Sequence, residues 1–297
     1  MNKKYEPYLY GFLALVSLGG IYLLFRKKNG LPLIPNIFAP KIPALDWIDK
    51  TDYFTTTNGI NLQTYAKAGG IILTKNTGYE KSGFSQSKYE AAKKNPKVYW
   101  AVYDIDNEKL IASSSNARQN VYGASVPKIV VGAAALDNQG GQFSKPSDYT
   151  KLIKLIVKSD NDVWNDIQSL AGGGMAVNKW SLERGYNMKA GRSVGNEANA
   201  VGMCEFYRDV CKNKFKGAEI IFRVSNSCQT GTTRSRKYMP KSVFIGGKTG
   251  TWTLENHDCC WICKDGRFYA ICVLTKLDKD SDSIAQMFRG LYNEYIN

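Results

Sequence analysis

The sequence predicts an α+β fold that contains an antiparallel sheet. Two hairpins indicate the sheet: the β-rich runs KVYWAVYDID (97–106) and KLIASSSN (109–116) flank a tight turn, and WICKDGRFYAICVLT (261–275) turns at Asp265-Gly266. A C-terminal helix is predicted because apolar residues recur at helical spacing behind a cap at Ser281. These residues are Ile284, Met287, Phe288, Leu291 and Tyr295.

Composition and charge restrict the class of protein and of partner. The 297 residues are 43% hydrophobic and 12% aromatic, which is typical of a globular protein rather than a disordered one. The net charge of +14 favours an acidic partner: anionic lipid, an anionic cell-wall polymer or nucleic acid. Nucleic acid is the least favoured of these, because the chain has neither zinc-finger spacing nor a glycine-rich phosphate loop.

The cysteines raise the question of a metal site. Seven cysteines cannot all pair within one chain. The stretch HDCCWIC holds His257, Cys259, Cys260 and Cys263, but it lacks the two-by-two spacing of a structural zinc site. We therefore interpret these cysteines as small hydrophobic residues of a strand, and we predict no metal or cofactor. The single histidine also disfavours a Ser-His-Asp arrangement.

An apolar stretch near the N-terminus predicts a membrane anchor within residues 1–30. YLYGFLALVSLGGIYLLF (8–25) carries no charge and is bracketed by lysine and arginine residues. As a helix it would be about 27 Å long, just enough to cross the hydrocarbon layer. A cleaved signal peptide and a buried soluble helix are the alternatives, although no A-x-A-like cleavage site follows. Basic residues on both sides leave the orientation open.

The next segment, residues 31–85, divides into a spacer and a part without an assigned function. NGLPLIPNIFAPKIP (29–43) holds four of the nine prolines and predicts a stiff, extended spacer. Residues 46–85 are rich in Thr, Gly and Lys, and GGIILT (69–74) within them predicts a short strand. The periodic patterns that predict a folded domain extend over residues 86–297.

A serine and a lysine three residues apart open a predicted buried helix, SVPKIVVGAAALDNQ. Ser125 and Lys128 would lie on one face of this helix, near an N-terminus that favours negative charge. A desolvated Lys128 could be neutral and accept the hydroxyl proton of Ser125. The spacing alone is weak evidence, because Ser85 and Lys88 reproduce it in SQSK.

Two further motifs follow in the chain. Ser159-Asp160-Asn161 ends the predicted helix LIKLIVKSDND. Lys248-Thr249-Gly250 lies in the predicted strand SVFIGGKTGTW, whose glycines would permit close approach of a ligand. The order S-x-x-K, S-D-N, K-T-G resembles the motif set of class A β-lactamases and D,D-peptidases, the penicillin-binding proteins. The resemblance covers residues 97–297, and it implies an antiparallel sheet flanked by terminal helices plus a reduced helical subdomain.

The resemblance also implies catalytic roles. Ser125 would attack a carbonyl and form an acyl-enzyme, with Lys128 as the general base or as the organiser of that base. Ser159 would relay a proton to the departing nitrogen. Asn161 would hold the amide of the substrate side chain.

Further residues would bind the substrate and the oxyanion. Lys248 and Thr249, followed by Gly250, would bind the substrate carboxylate. The backbone N–H groups of Ser125 and Thr251 would form the oxyanion hole. Together with the predicted anchor, the resemblance therefore indicates a membrane-anchored serine acyl hydrolase that acts on β-lactams or on D-alanyl peptides of peptidoglycan.

Deacylation is where the chain departs from this family. Glu197 is the candidate base in the loop after S-D-N, yet its neighbours do not reproduce the family's loop, and a solvated surface glutamate is the alternative. Without a base, an acyl-enzyme formed with a β-lactam would persist. Two other functions therefore stay open: a sensor that is acylated slowly, and a non-catalytic structural component that keeps the fold, for example in a membrane-associated virion.

Overall fold

A five-stranded antiparallel sheet forms the central layer of the structure, a computed structural model that describes residues 52–276 and 280–297. The strand order is β2-β1-β7-β6-β5. A separate small sheet pairs β3 with β4. The strands are β1 (Val98–Asp104), β2 (Lys109–Ser113), β3 (Val121–Tyr122), β4 (Glu197–Ala198), β5 (Phe244–Thr251), β6 (Asn256–Lys264) and β7 (Arg267–Thr275). The predicted α+β class with an antiparallel sheet is confirmed.

Both predicted hairpins are present. Strands β1 and β2 pair, with Asp104 opposite Lys109. Strands β6 and β7 are joined by a two-residue turn at Asp265-Gly266, whose φ angles of 47° and 77° are those of the tight hairpin turn. The cysteines of HDCCWIC are buried within β6, which confirms that they belong to a strand.

Helices pack on both faces of the sheet. They are α1 (Leu62–Ala68), α2 (Gln86–Lys94), α3 (Lys128–Asn138), α4 (Pro146–Ile153), α5 (Trp164–Leu170), α6 (Gly174–Glu183), α7 (Ala200–Cys211), α8 (Ala218–Asn226) and α9 (Ser281–Tyr295). Successive side chains of a strand point to opposite faces. Trp100 and Val102 of β1 therefore pack with α2 and α9, whereas Ala101 and Tyr103 pack in the larger cluster with α7 and α8.

The C-terminal helix forms as predicted, with a different cap. Ile284, Met287, Phe288 and Leu291 are buried against the sheet. The predicted cap at Ser281 is wrong, because the N-cap is Asp280, whose carboxylate accepts the N–H of Asp282 at 2.8 Å. Asp280 has the extended backbone of a capping residue, and Ser281 is already the first residue of the helix.

The segment before α2 packs against the domain. Tyr53 is buried, and its carbonyl accepts a hydrogen bond from the guanidinium of Arg223 in α8. Helix α1 lies on α4, where the rings of Tyr65 and Tyr149 stack with centroids 4.8 Å apart. Tyr53 and helix α1 thus pack on the helices α8 and α4.

The stretch GGIILT is not a strand. Ile71 and Leu73 are buried while Ile72 is exposed, so this apolar run has the alternating burial of a strand. Its backbone, however, bonds to side chains: the N–H of Leu73 donates to Gln63 Oε1 at 3.2 Å, and the next N–H donates to Ser227 Oγ at 3.0 Å. An extended segment without a partner strand gives the same burial pattern as a strand.

The predicted anchor at residues 8–25 and the proline-rich stretch at 29–43 lie outside the described residues. Within 52–276 and 280–297, the structure contains no helix that is both long enough and apolar enough to span a membrane.

Candidate active site

Ser125 lies in the turn between β3 and α3. The residue before it, Ala124, has a left-handed backbone with φ of 49°, which is unfavourable for a residue other than glycine. Asn196 stabilises this turn by donating from Nδ2 to the Ala124 carbonyl at 2.7 Å. The Ser125 side chain is half-buried, and its hydroxyl forms no hydrogen bond with any other described residue. A strained turn therefore presents the candidate nucleophile.

Lys128 is the first residue of α3 and is fully buried. Its ammonium donates to the Ser159 carbonyl at 2.5 Å and to Asn161 Oδ1 at 2.6 Å. It also lies 3.4 Å from Ser159 Oγ and 5.0 Å from the centre of the Trp164 ring. The lysine of the first motif is thus hydrogen-bonded to the serine and the asparagine of the second.

The S-D-N motif follows the π-helical turn Lys154–Lys158 that extends α4. Ser159 adopts the left-handed conformation with φ of 60° and ψ of 32°, which ends the helical turn and reverses the chain. Its hydroxyl lies 2.9 Å from Lys248 Nζ. Ser159 Oγ therefore lies within reach of both buried lysines, a position suited to proton relay.

The K-T-G motif forms the edge strand β5. Lys248 is fully buried and donates to Ser159 Oγ and, at 2.8 Å, to the Thr249 carbonyl. Thr249 Oγ1 donates to Thr230 Oγ1 at 2.5 Å. Hydrogen bonds among Lys128, Ser159 and Lys248 thus join the three motifs. The first residues of the first and third motifs, Ser125 and Lys248, are 123 residues apart in the sequence.

Burial and neighbouring positive charges lower the pKa of both buried lysines. Burial is the main cause that lowers the pKa of Lys128 from 10.5 to about 7, and the charge of Lys248 lowers it further. Asp160 raises the pKa of Lys128, and Arg192 lowers it. Burial likewise lowers the pKa of Lys248 to about 8. Near neutral pH, Lys128 can therefore accept a proton while Lys248 remains mostly charged.

Arg234 is a site residue that the sequence did not single out. Its guanidinium lies beneath the end of β5 and donates to the carbonyls of Gly250 at 3.1 Å and His257 at 2.8 Å. It also donates to Thr251 Oγ1 at 2.5 Å. The segment TGTTRSRK that precedes β5 holds several cations, and no local pattern distinguishes the buried one.

His257 has a structural position in β6. Its Nε2 lies 2.8 Å from the Tyr122 carbonyl, and its Nδ1 accepts the N–H of Thr275 at 3.1 Å. Burial lowers the pKa of His257 to about 4, so the ring is neutral and donates from Nε2. The histidine links the large sheet to β3, three residues before Ser125.

Glu197 lies apart from the hydrogen-bonded lysines. It is in β4, opposite Tyr122, and its carboxylate lies 3.4 Å from Lys189 Nζ and 3.5 Å from Asn120 Nδ2. No hydrogen bond or ion pair joins it to Ser125 or Lys128 among the described residues.

Two glycines of β5 lie close against the neighbouring strand β6. A Cβ on Gly246 would lie 2.3 Å from the Trp261 ring, and one on Gly247 would lie 2.3 Å from the Cys259 carbonyl oxygen and 2.6 Å from Cys260 Sγ. The close approach of the neighbouring strand β6 therefore requires glycine at these two positions.

Similar solved structures agree with this architecture. A class A β-lactamase from Bacteroides cellulosilyticus is 19% identical with a TM-score of 0.60, and the match covers 70% of this chain and 95% of that one. The TLA-1 extended-spectrum β-lactamase is 16% identical with a TM-score of 0.59, over 71% and 99% of the two chains. The chain has a β-lactamase-like fold.

A third structure supports the same conclusion. The β-lactamase from Streptosporangium roseum is 15% identical with a TM-score of 0.59, and the match covers 70% of this chain and 95% of that one. No family model and no curated protein matches the sequence. At these identities the likeness establishes the fold, and the activity has to be argued from the site.

Proposed function

We propose that this protein is a serine acyl hydrolase of the β-lactamase superfamily that forms an acyl-enzyme at Ser125. The observation that carries the proposal is the contact of Ser159 Oγ with both Lys128, at 3.4 Å, and Lys248, at 2.9 Å. Two buried cations with lowered pKa values around one hydroxyl are unfavourable for stability, and such groups are typical of catalytic sites. β-Lactams and D-alanyl peptides are the proposed acyl donors.

In acylation, the Ser125 oxygen attacks the carbonyl carbon of the substrate while its proton passes to neutral Lys128. The carbonyl becomes an oxyanion, which the N–H groups of Ser125 and Thr251 would stabilise by about 3 kcal/mol per donor. When the C–N bond breaks, Ser159 donates its proton to the departing nitrogen and is reprotonated from the protonated lysine. Ser125 then carries the acyl group as an ester.

Two groups of residues around Ser125 are proposed to bind the substrate. Lys248 and the nearby Arg234 create the positive potential that a substrate carboxylate requires, and Lys248 and Thr249 would bind this carboxylate. Because Oδ1 of Asn161 already accepts from Lys128, this side chain offers its Nδ2 group to the amide of the substrate. Residues 8–25 are proposed as the single-pass anchor that holds this domain at a membrane.

Deacylation is proposed to be slow. Hydrolysis of the ester needs a base directed at water, and general-base assistance contributes about 10²–10⁴-fold. Glu197 in β4 pairs with Lys189, and it forms no hydrogen bond or ion pair with Ser125 or Lys128 among the described residues. The ester would therefore persist, and Glu197→Gln would change its lifetime little.

Intact-protein mass spectrometry after exposure to a fluorescent penicillin tests the proposal. We expect a single adduct that decays slowly and that Ser125→Ala abolishes. Ser85→Ala is the matched control, because Ser85 has the same S-x-x-K spacing but caps α2. Labelling of the Ser125→Ala protein would contradict the assignment of the nucleophile. Absence of any adduct on the wild-type protein would favour the non-catalytic structural function.

A further inference from the structure

A cation in the loop between α6 and β4 lies beside the candidate active site. Arg192 Nη1 donates to the Asn161 carbonyl at 3.3 Å, and its guanidinium lies 5.6 Å from the centre of the Trp164 ring. The backbone N–H of Arg192 donates to Gln168 Oε1 at 2.8 Å, which fixes this part of the loop on α5. The same Trp164 ring faces Lys128 Nζ, so Arg192 and Lys128 share one aromatic neighbour.

The charge of Arg192 is not balanced within the described part of the chain. Its guanidinium forms no ion pair there, whereas Lys189 in the same loop pairs with Glu197. Arg192 is exposed, so its side chain is open to a ligand. The positive charge of Arg192 also acts on the candidate active site, because it is one of the charges that lower the pKa of Lys128. An anion beside Arg192 would neutralise this excess of positive charge.

We propose that Arg192 forms a second anion subsite, which binds a carboxylate on the acyl side of the substrate. This proposal rests on the function proposed above, in which Asn161 holds the acyl-side amide. A carboxylate one or two bonds from that amide would lie next to the guanidinium that Asn161 itself orients. The preferred acyl donor therefore carries two carboxylates: one bound by Lys248 and Thr249, and one bound by Arg192.

The geometry favours arginine for this purpose. A guanidinium bound to a backbone carbonyl through one nitrogen still presents other N–H groups, and it can bind a carboxylate through two parallel hydrogen bonds. Packing beside the Trp164 ring limits its rotamers, so less entropy is lost when the carboxylate binds. Because Arg192 is exposed, we expect an effect of about tenfold, near the low end for a charged hydrogen bond.

Benzylpenicillin and carbenicillin test the subsite, because they differ by one carboxylate on the acyl side chain. The readout is the ratio of their second-order acylation rate constants, measured by intact mass. In the wild-type protein we expect carbenicillin to react about tenfold faster, and Arg192→Gln should bring the ratio close to one. Arg192→Gln also changes the pKa of Lys128, but this change alters the acylation of both penicillins by the same factor. The ratio of the two rate constants therefore reports only the effect of the extra carboxylate.

Lys189→Gln is the matched control, since it removes an exposed cation of the same loop that is already paired. It should leave the ratio unchanged. A ratio that is the same in the wild-type and Arg192→Gln proteins would overturn the subsite, as would a loss of the preference in Lys189→Gln.

A non-covalent arm separates this proposal from the proposed function. Ser125→Ala proteins with and without Arg192→Gln are titrated with both penicillins, and the shift in melting temperature is recorded. Carbenicillin should raise the melting temperature of Ser125→Ala more than benzylpenicillin does, and Arg192→Gln should remove this difference. If this result is obtained while the wild-type protein is never acylated, the subsite stands and the catalytic proposal fails. Equal stabilisation by the two penicillins would overturn the subsite.

Discussion

Acylation of Ser125 should follow the protonation of Lys128. With a pKa of about 7, half of the Lys128 side chains are neutral at pH 7. At the ordinary value of 10.5 the neutral fraction would be about 0.03%. The difference between these pKa values corresponds to about 5 kcal/mol, and burial is its main cause. The structure therefore predicts a competent base at neutral pH.

The sign of the pH dependence follows from the two lysines. The acylation rate constant should rise as the pH increases through about 7, because the neutral form of Lys128 accepts the proton. It should fall above about 8, where Lys248 loses the charge that binds the substrate carboxylate. Because the two ammonium groups interact, the two limbs of the bell-shaped profile belong to the pair.

The assay is acylation by benzylpenicillin under pseudo-first-order conditions between pH 5.5 and 9.5, followed by intact mass. Lys128→Arg is the informative variant, because it keeps the positive charge but cannot act as a base in this range. We expect it to lower the rate constant by about 10²–10⁴-fold. An ascending limb centred above pH 9, or a Lys128→Arg protein that retains more than a tenth of the rate, would refute the reasoning.

Three further predictions concern stability and attachment. Gly290→Ala should lower the free energy of unfolding by about 2 kcal/mol in urea, because its methyl group would lie 2.1 Å from the Tyr89 ring; unchanged stability would contradict this packing. Stability should fall by about 3 kcal/mol between pH 6.5 and 4 through His257, whose folded-state pKa is depressed to about 4, and His257→Gln should flatten this slope. Deletion of residues 1–30 should release a folded, soluble domain, whereas aggregation of that protein would argue against the anchor.

Local sequence patterns were sufficient to predict the hairpins of the large sheet and the C-terminal helix. The turn of the hairpin at Asp265-Gly266 is specified by two adjacent residues. In the same way, the apolar residues that predict α9 lie within four positions of each other. The strand predicted from the apolar run GGIILT does not form, because a strand also needs a partner strand, which an apolar run cannot specify. The partner here is a set of side chains, among them Gln63 and Ser227.

The sequence by itself determined the three motifs and their order, since each is a short string of residues with a characteristic spacing. The tertiary structure decided which groups surround them. Arg234 and Arg192 are two of 40 basic residues, and only the path of the chain brings one beneath β5 and the other beside Asn161. Glu197 lies between the second and third motifs in the sequence, and its place in β4 brings its carboxylate to Lys189. Burial, which lowers the pKa of Lys128, arises from residues distant in the chain, so no local pattern could supply it.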